Sequence, residues 1–257
     1  MAACLYAVPV VIAVVVLIWM PCFNVDAADE GEWHQASATW YGSPNGDGSE
    51  GGACGYGSLV KALPIGSRIA AGSPDLFKGG HGCGECYQVK CAEKDVCSQT
   101  PVSVVITDEC PGCSSNHFDL SGTAFSDMAI SPARASDLRN AGVVPIFFTR
   151  VACEYPGKKI AFHVNEGSTD YWFSVVIEYE DGDGDLQAVD LMQANSSIWQ
   201  GLQQTWGANW SLNEGPLKAP FTIRLKSLSS GKTLTAYNVI PQNWQPSATY
   251  TSLVNYD

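Results

Sequence analysis

Residues 107–125 read TDECPGCSSNHFDLSGTAF and bring two aspartates, a histidine and a cysteine pair into one short run. Asp108 follows a β-rich segment, Val102–Thr107, and Asp119 follows His117 and Phe118. A carboxyl group at a strand end, beside an aromatic residue and a histidine, is typical of sites that handle sugar hydroxyls or glycosidic oxygens. A turn rich in capping residues is the alternative, because Asp, Ser and Gly favour turns for local reasons.

The chain around this run is rich in Gly and Cys, with short apolar segments between turns. Many short strands with few helices are typical of a barrel, and the first half is therefore predicted to be one. The clearest predicted strands are Gln88–Cys91, Val102–Thr107 and Ile146–Ala152. Two helices are predicted, Ser121–Met128 and Pro132–Asn140, the second beginning with a proline that the first helical turn tolerates.

After a predicted linker at residues 154–159, the last hundred residues show alternating β patterns without helices, which favours a β-sandwich. The predicted strands are Ile160–Val164, Trp172–Glu180, Ala188–Gln193, Phe221–Lys226 and Thr233–Val239. The linker is so short that we expect the halves to touch. The run Asp181-Gly-Asp-Gly-Asp185 could indicate calcium, but the position that needs Glu holds Met192, so a solvated hairpin turn is predicted.

The formal net charge is −12, from 14 basic and 26 acidic residues spread over both halves. No basic patch stands out, which argues against nucleic acid and anionic membrane surfaces as partners. A strongly acidic polysaccharide would be repelled. A neutral polysaccharide fits this charge better.

Residues 1–28 are predicted to be a secretory signal peptide, with an apolar Val8–Trp19 segment and cleavage near Ala27 or Ala28. The alternative is an uncleaved membrane anchor, since the apolar run from Cys4 to Phe23 is near spanning length. Two glycosylation sequons, at Asn195 and Asn209, fit an exported chain.

Eight cysteines follow the predicted signal peptide, and an even count in an exported chain indicates disulfides. Spacing alone leaves 105 possible pairings open. Zinc held by Cys83, Cys86, Cys110 and Cys113 is the competing reading, and we expect no metal and no cofactor.

Near the start, Thr39 and Tyr41 are expected on one face of a strand and Trp40 on the other. Several motifs in order resemble those of plant expansins, and the cysteine layout, the surroundings of Tyr155 and the ending near Tyr250 resemble the β-expansins. The motifs are Thr39-Trp-Tyr-Gly42, Gly51-Gly-Ala-Cys-Gly55, Gly82-Cys-Gly-Glu-Cys-Tyr87, Thr107-Asp108, His117-Phe-Asp-Leu-Ser-Gly-Thr-Ala-Phe125, Trp206-Gly-Ala-Asn-Trp210, Pro220-Phe-Thr-Ile-Arg224 and Val239-Ile-Pro-Gln-Asn-Trp244.

The resemblance covers residues 34–257 and implies a mainly β protein with two domains. Residues 29–153 would form a six-stranded double-psi β-barrel like that of family 45 glycoside hydrolases, and residues 160–257 an immunoglobulin-like sandwich that binds polysaccharide. The implied disulfides are Cys54–Cys83, Cys86–Cys153 and Cys91–Cys97, with Cys110–Cys113 left as a fourth pair.

The resemblance also implies roles for the barrel acids. Asp119 matches the general acid of the related hydrolases, but inverting hydrolysis also needs a base, which expansins lack. Only Asp47 and Glu50 could supply one, and Ser49-Glu50 departs from the family, which often carries an Asp there. A glycan would then be held without cleavage by Thr39, Tyr41, Asp108, His117 and Asp119, with polysaccharide also contacting Trp40, Tyr171 and Trp206.

The leading hypothesis is therefore a secreted, monomeric cell-wall protein that loosens contacts between cellulose and matrix glycans without hydrolysis, favoured at acid pH. An endoglucanase that uses Asp119 as acid and Asp47 or Glu50 as base is the first alternative. A binding or allergen-type module without loosening activity is the second.

Overall fold

The computed structural model describes residues 32–93 and 95–257, and the predicted signal peptide lies outside them. Most of the regular secondary structure in the described chain is β-strand, with short helices confined to its first half. No helix within the described ranges is long and apolar enough to cross a membrane.

Six strands close into a barrel in the order β1-β5-β2-β4-β3-β6. Strands β1 and β5 are parallel, as are β2 and β4, and the other neighbours run antiparallel. The strands are β1 His34–Tyr41, β2 Ile69–Gly72, β3 Cys86–Cys91, β4 Val102–Glu109, β5 His117–Ser121 and β6 Val144–Val151.

Aromatic rings fill the barrel interior. Phe118 packs edge-on against Tyr87 at 5.4 Å and lies 5.1 Å from Phe148, centroid to centroid. Alternate residues of a strand face opposite sides, so the neighbours of Phe118 in sequence turn outward. Three short helices border the barrel: α1 Pro74–Phe77, α2 Gly122–Asp127 and α3 Ala135–Asn140.

Nine further strands form two packed sheets. One has the order β10-β9-β13-β14 and the other the order β11-β12-β8-β7-β15. Phe173 and Phe221 meet edge to face between them at 5.2 Å, with Trp244 on Phe173 at 5.7 Å. The strands are β7 Ala161–Val164, β8 Phe173–Glu178, β9 Leu186–Met192, β10 Trp199–Gly201, β11 Gln203–Trp206, β12 Asn209–Leu212, β13 Phe221–Ser227, β14 Thr233–Ile240 and β15 Thr249–Thr251.

The cysteines form four disulfides, the pairs that the family resemblance implies: Cys54–Cys83, Cys86–Cys153, Cys91–Cys97 and Cys110–Cys113. All four thiolates of the competing zinc site are therefore used in covalent bonds. Cys153 stands just after β6, and its main chain exchanges hydrogen bonds of 2.7 and 2.9 Å with Gly182 of the sandwich.

The prediction of a solvated hairpin for residues 181–185 is wrong. Asp185 is only 1% exposed. Its Oδ2 accepts a 2.8 Å hydrogen bond from Arg150 of the barrel, and its Oδ1 accepts main-chain N–H groups from Leu228 and Ser229. The acidic run is part of the contact between the two halves, which do touch as expected.

The mainly β architecture, a barrel followed by a sandwich, is confirmed. Each strand and helix predicted above overlaps an observed element, and residues 154–159 contain no regular element. One boundary differs: β4 continues to Glu109, so Asp108 lies inside a strand rather than after it. Pairing with Gly72 of β2 sustains the strand through a register shift, and sequence patterns cannot show such pairing.

Candidate functional site

The parallel pairing of β1 with β5 builds a polar face on the barrel. Thr39 stands opposite Asp119, and Ser37 stands opposite His117. Because side chains alternate along a strand, all four share one side of the sheet. The residues next to them in the sequence face the barrel interior and have no exposed surface: Ala38, Phe118 and Leu120.

A chain of hydrogen bonds runs through this face. Thr39 Oγ1 donates to Asp119 Oδ1 at 2.6 Å. That donation uses the only hydroxyl proton, so the 2.9 Å contact with His117 Nε2 has the imidazole N–H donating to Thr39. His117 Nδ1 then accepts from the Ser37 hydroxyl at 2.7 Å. The network therefore assigns the Nε2–H tautomer to a neutral His117.

Burial supports this neutral form. His117 is 6% exposed, and desolvation lowers the pKa of its imidazole despite the opposing charge of Asp119. Both ring nitrogens are engaged within the protein. His117 thus orients Thr39 towards Asp119, whereas the sequence led us to expect it to bind the glycan directly.

Tyr41 closes the same face. Its ring packs on Gly48, where a Cβ would lie 2.6 Å from the phenol carbon Cζ. Burial raises the pKa of the Tyr41 phenol, and the charges of Asp108 and Asp119 raise it further. The phenol therefore stays protonated and can act as a hydrogen-bond donor next to the two carboxylates.

Asp108 is fixed by main-chain donors. Its Oδ1 accepts the N–H of Ala53 at 2.7 Å and of Glu109 at 2.8 Å. Gly52 approaches so closely that a Cβ there would lie 2.6 Å from the carbonyl oxygen of Thr107. The motif Gly51–Gly55 thus lies directly beside Asp108 because it has little side-chain bulk.

The two candidate bases, Asp47 and Glu50, lie on the loop that follows Tyr41, and both pair with Lys61. Lys61 Nζ contacts Glu50 Oε1 closely and lies 3.4 Å from Asp47 Oδ2. These pairs are partly exposed, with 52% of the Lys61 side chain accessible. Asp47 nevertheless acts on the Tyr41 phenol with its charge, so it belongs to the surroundings of the site.

Trp40 lies on the opposite side of β1 from Thr39 and Tyr41, as the alternation predicts. It is half-buried; its Nε1 donates to the carbonyl oxygen of Arg139 at 3.3 Å, and the Arg139 guanidinium lies 6.0 Å from the ring centroid. The structure therefore separates Trp40 from the acidic face.

The two sandwich aromatic residues that the sequence singled out are both strongly exposed, Tyr171 at 63% and Trp206 at 55%. Trp206 ends β11, and Gly55 of the barrel lies against it: a Cβ at Gly55 would be 2.7 Å from the indole. A continuous path therefore leads from Asp119 past Asp108 and Gly55 to Trp206.

The two sequons differ in access. Asn195 is exposed, whereas Asn209 is 1% exposed. The Asn209 side chain donates to the carbonyl oxygen of Cys54 at 3.4 Å and accepts from Asn165 Nδ2 at 2.8 Å. The folded chain thus offers Asn195 to a glycan and uses Asn209 in the contact between domains.

Sequence reasoning missed Ser37, which completes the hydrogen-bond chain. The signal was present, because Ser37, Thr39 and Tyr41 alternate along one strand. It also missed the path through Gly55, since the contact with Trp206 spans two domains.

Comparison with known proteins adds family matches. The model described as Expansin C-terminal domain matches residues 160–241, and the model described as lytic transglycolase matches residues 69–148. Expansin-B3 of Arabidopsis thaliana is 55% identical over 87% of this chain and 85% of its own length. Expansin-B16 of Oryza sativa subsp. japonica is 54% identical over 88% of this chain and 84% of its own.

Solved structures match the fold. The apo crystal structure of Clavibacter michiganensis expansin aligns with a TM-score of 0.68 at 22% identity, over 88% of this chain and 99% of that one. A mutant of that protein in complex with cellohexaose aligns with the same TM-score and coverage. At this identity the likeness establishes the two-domain fold.

Proposed function

The chain belongs to the expansin-B family, and on that basis we propose that it is a secreted cell-wall protein that loosens contacts between cellulose and matrix polysaccharides without hydrolysis. It acts as a monomer outside the cell, without a metal or cofactor. The bound cellohexaose in the related bacterial structure supports a β-glucan ligand.

The observation that carries the proposal is the state of the acids. Asp119 is positioned by Thr39 as a hydrogen-bonding group, while Asp47 and Glu50 are both paired with Lys61. Inverting hydrolysis needs a second carboxylate that activates water on the far side of the sugar. Without a free base, Thr39, Tyr41, Asp108 and Asp119 hold a glucan chain instead of cutting it.

The contacts favour competition with other glucan chains. Charge-assisted hydrogen bonds from sugar hydroxyls to Asp108 and Asp119 are strong, and flat faces such as Trp206 stack on pyranose rings. Many such contacts along one path replace glucan–glucan contacts locally, and a chain under tension then slips. The action is favoured at acid pH, and Asp119 is the candidate residue for this dependence.

The test pairs two measurements. Purified protein is added to a heat-inactivated wall strip under constant load at mildly acidic pH, and extension and released reducing sugar are followed together. Extension without sugar release is expected. Asp119→Asn tests the pH dependence, and an extension–pH curve unchanged by this substitution would show that Asp119 does not cause it.

One observation favours the endoglucanase alternative: the charge of Asp47 raises the pKa of the Tyr41 phenol, as the charge of Asp119 does. If sugar release accompanies extension, Asp47→Asn would abolish the release and identify the base. A binding module without loosening activity would instead bind glucan and leave wall extension unchanged.

A further inference from the structure

A polar cleft lies beside the path from Asp119 to Trp206, where the barrel meets the sandwich. It has a volume of about 370 Å³, within the range of about 300–1,000 Å³ typical of small-molecule sites. The barrel contributes residues 55–59 and 62, and the sandwich contributes His163, Asn165, Glu178 and Thr249. We name this the junction cleft.

Glu178 is the unusual member of this lining. The residue is 9% exposed, and its carboxyl group makes no hydrogen bond or ion pair within the described ranges. A buried carboxyl group without a partner is costly, and a ligand hydroxyl would satisfy it. Burial raises the pKa of Glu178 to about 7, against an opposing effect of Lys158, so the group is neutral at acid pH.

His163 is a second uncharged polar group in the lining of the junction cleft. It lies diagonally from Glu178 across β7 and β8, where Ala161 pairs with Glu178 and His163 with Val176. Thr249 Oγ1 lies 2.8 Å from His163 Nδ1 and fixes the ring. Burial lowers the pKa of the imidazole, so a neutral ring presents Nε2 to the cleft.

Asn165 adds an acceptor. Its Nδ2 donates to Ser174 at 2.7 Å and to Asn209 at 2.8 Å, which leaves Oδ1 available among the described residues. A carboxylic acid, an imidazole and an amide oxygen, all uncharged, match the hydroxyl groups of a neutral sugar. An anion would find no cationic side chain among the residues that line the cleft, and no metal-holding cluster exists in residues 32–93 and 95–257.

The position of the cleft indicates how the sugar arrives. Gly55 lines it and also lies against the indole of Trp206. We propose that the junction cleft binds one neutral sugar unit that branches from a glycan whose main chain lies on Trp206. This inference rests on the proposed function and assigns it a ligand class, branched matrix glycans.

Calorimetry can test this with two probes, cellohexaose and a cello-oligosaccharide of equal backbone length that carries xylosyl branches. His163→Ala and Glu178→Ala are expected to lower affinity for the branched probe about three- to tenfold, as loss of a hydrogen bond would. Affinity for cellohexaose should not change. Trp206→Ala should weaken both probes, and Tyr237→Ala, 76% exposed on the other sheet, should weaken neither.

Two further measurements keep the result independent of folding. Thr249→Val changes one exposed residue that orients His163 and should reproduce part of the loss. In the unmodified protein, the imidazole C–H proton signals of His163 should shift with the branched probe and not with cellohexaose.

The groups nearest Glu178 that could affect a pH profile are Lys158, His163, Tyr56 and Tyr179. Affinity for the branched probe should fall as pH rises through about 7, and Glu178→Gln should remove that fall. Equal affinities of wild type and cleft variants for the branched probe would overturn the inference alone. Failure of the wild type to bind either probe would overturn the proposed function together with it.

Discussion

Arg150 of barrel strand β6 donates from Nη2 to Oδ2 of Asp185 in the sandwich, 2.8 Å away. The same Nη2 lies 3.2 Å from Oε1 of Glu85, a barrel residue. Glu85 is fully buried and Asp185 is 1% exposed. One guanidinium therefore neutralises a carboxylate from each domain, so docking of the domains depends on it.

Replacing this cation should be costly. Arg150→Met leaves Asp185 without its ion-pair partner, and Glu85 keeps Lys78 as its ion-pair partner and the Tyr87 hydroxyl as a hydrogen-bond donor. Removing one partner of a buried pair typically costs about 3–5 kcal/mol. We expect a loss of that size in the free energy of unfolding, measured by urea denaturation. Arg134→Met is the matched control, because its pair with Asp137 is about half exposed, and it should cost under about 1 kcal/mol.

Stability should fall as pH rises because of Glu180. Burial raises the pKa of this carboxyl well above its ordinary value of 4.5, and Asp185 and Asp183 raise it further. The folded state then keeps a proton that the unfolded state has lost, so the contribution of Glu180 to stability is full below pH 4.5 and declines above it, by up to about 1.4 kcal/mol per pH unit.

Glu180→Gln should remove the part of this decline that Glu180 causes, whereas the part due to Glu178, whose pKa is also raised by burial, should remain. The variant is expected to match the wild type near pH 4 and to exceed it by roughly 1–3 kcal/mol at pH 7, measured by denaturation across that range. Exposed Glu166→Gln should leave the profile unchanged. The raised pKa of Glu180 would be contradicted if wild-type stability rose between pH 5 and 7 and Glu180→Gln did not make that rise steeper.

The four disulfides should contribute unequally. Cys110 and Cys113 are 3 residues apart, whereas Cys86 and Cys153 are 67 apart. In the chain-entropy model these loops correspond to about 2 and about 4 kcal/mol. Replacing the first pair with serine should therefore lower the free energy of unfolding about 2 kcal/mol less than replacing the second. Equal losses would mean that loop length does not govern their effect.

Glycosylation should be confined to one sequon. Protein expressed in a glycosylating host is expected to carry a glycan on Asn195 and none on Asn209, because the Asn209 amide is buried against Cys54. Peptide mapping by mass spectrometry reads this directly. Asn195→Gln should remove the glycan mass, whereas Asn209→Gln should leave it and lower stability. A glycan on Asn209 of the folded protein would refute the burial argument.

The sequence predicted the strands well because alternation and turn residues are local signals. The segments around Val102–Thr107 and Ile146–Ala152 were placed correctly, and the family resemblance supplied the barrel topology. The polar face could also be predicted from the sequence, since Thr39 and Tyr41 occupy alternate positions of β1 and therefore share one side of the strand.

The failures share a physical cause, namely contacts between distant parts of the chain. Asp185 has the local composition of a solvated turn and is buried only because Arg150 meets it from the barrel. Asn209 satisfies a sequon rule that covers three residues, and docking against Cys54 removes it from solvent. The contact of His117 with the ligand stays a prediction, and the strand register adds that Ser37 and Thr39 contact both of its nitrogens.

The placement of Cys153 has a mechanical consequence. It is bonded to Cys86 in β3 and hydrogen-bonded through its main chain to Gly182, directly before the residues that connect the domains. Under the proposed function, a pulling force on a glucan at Trp206 would pass from the sandwich to Cys153 through the hydrogen bonds with Gly182 and would then reach β3 through the disulfide. Because β3 pairs with β4, which carries Asp108, such a force would be shared with a strand of the candidate site.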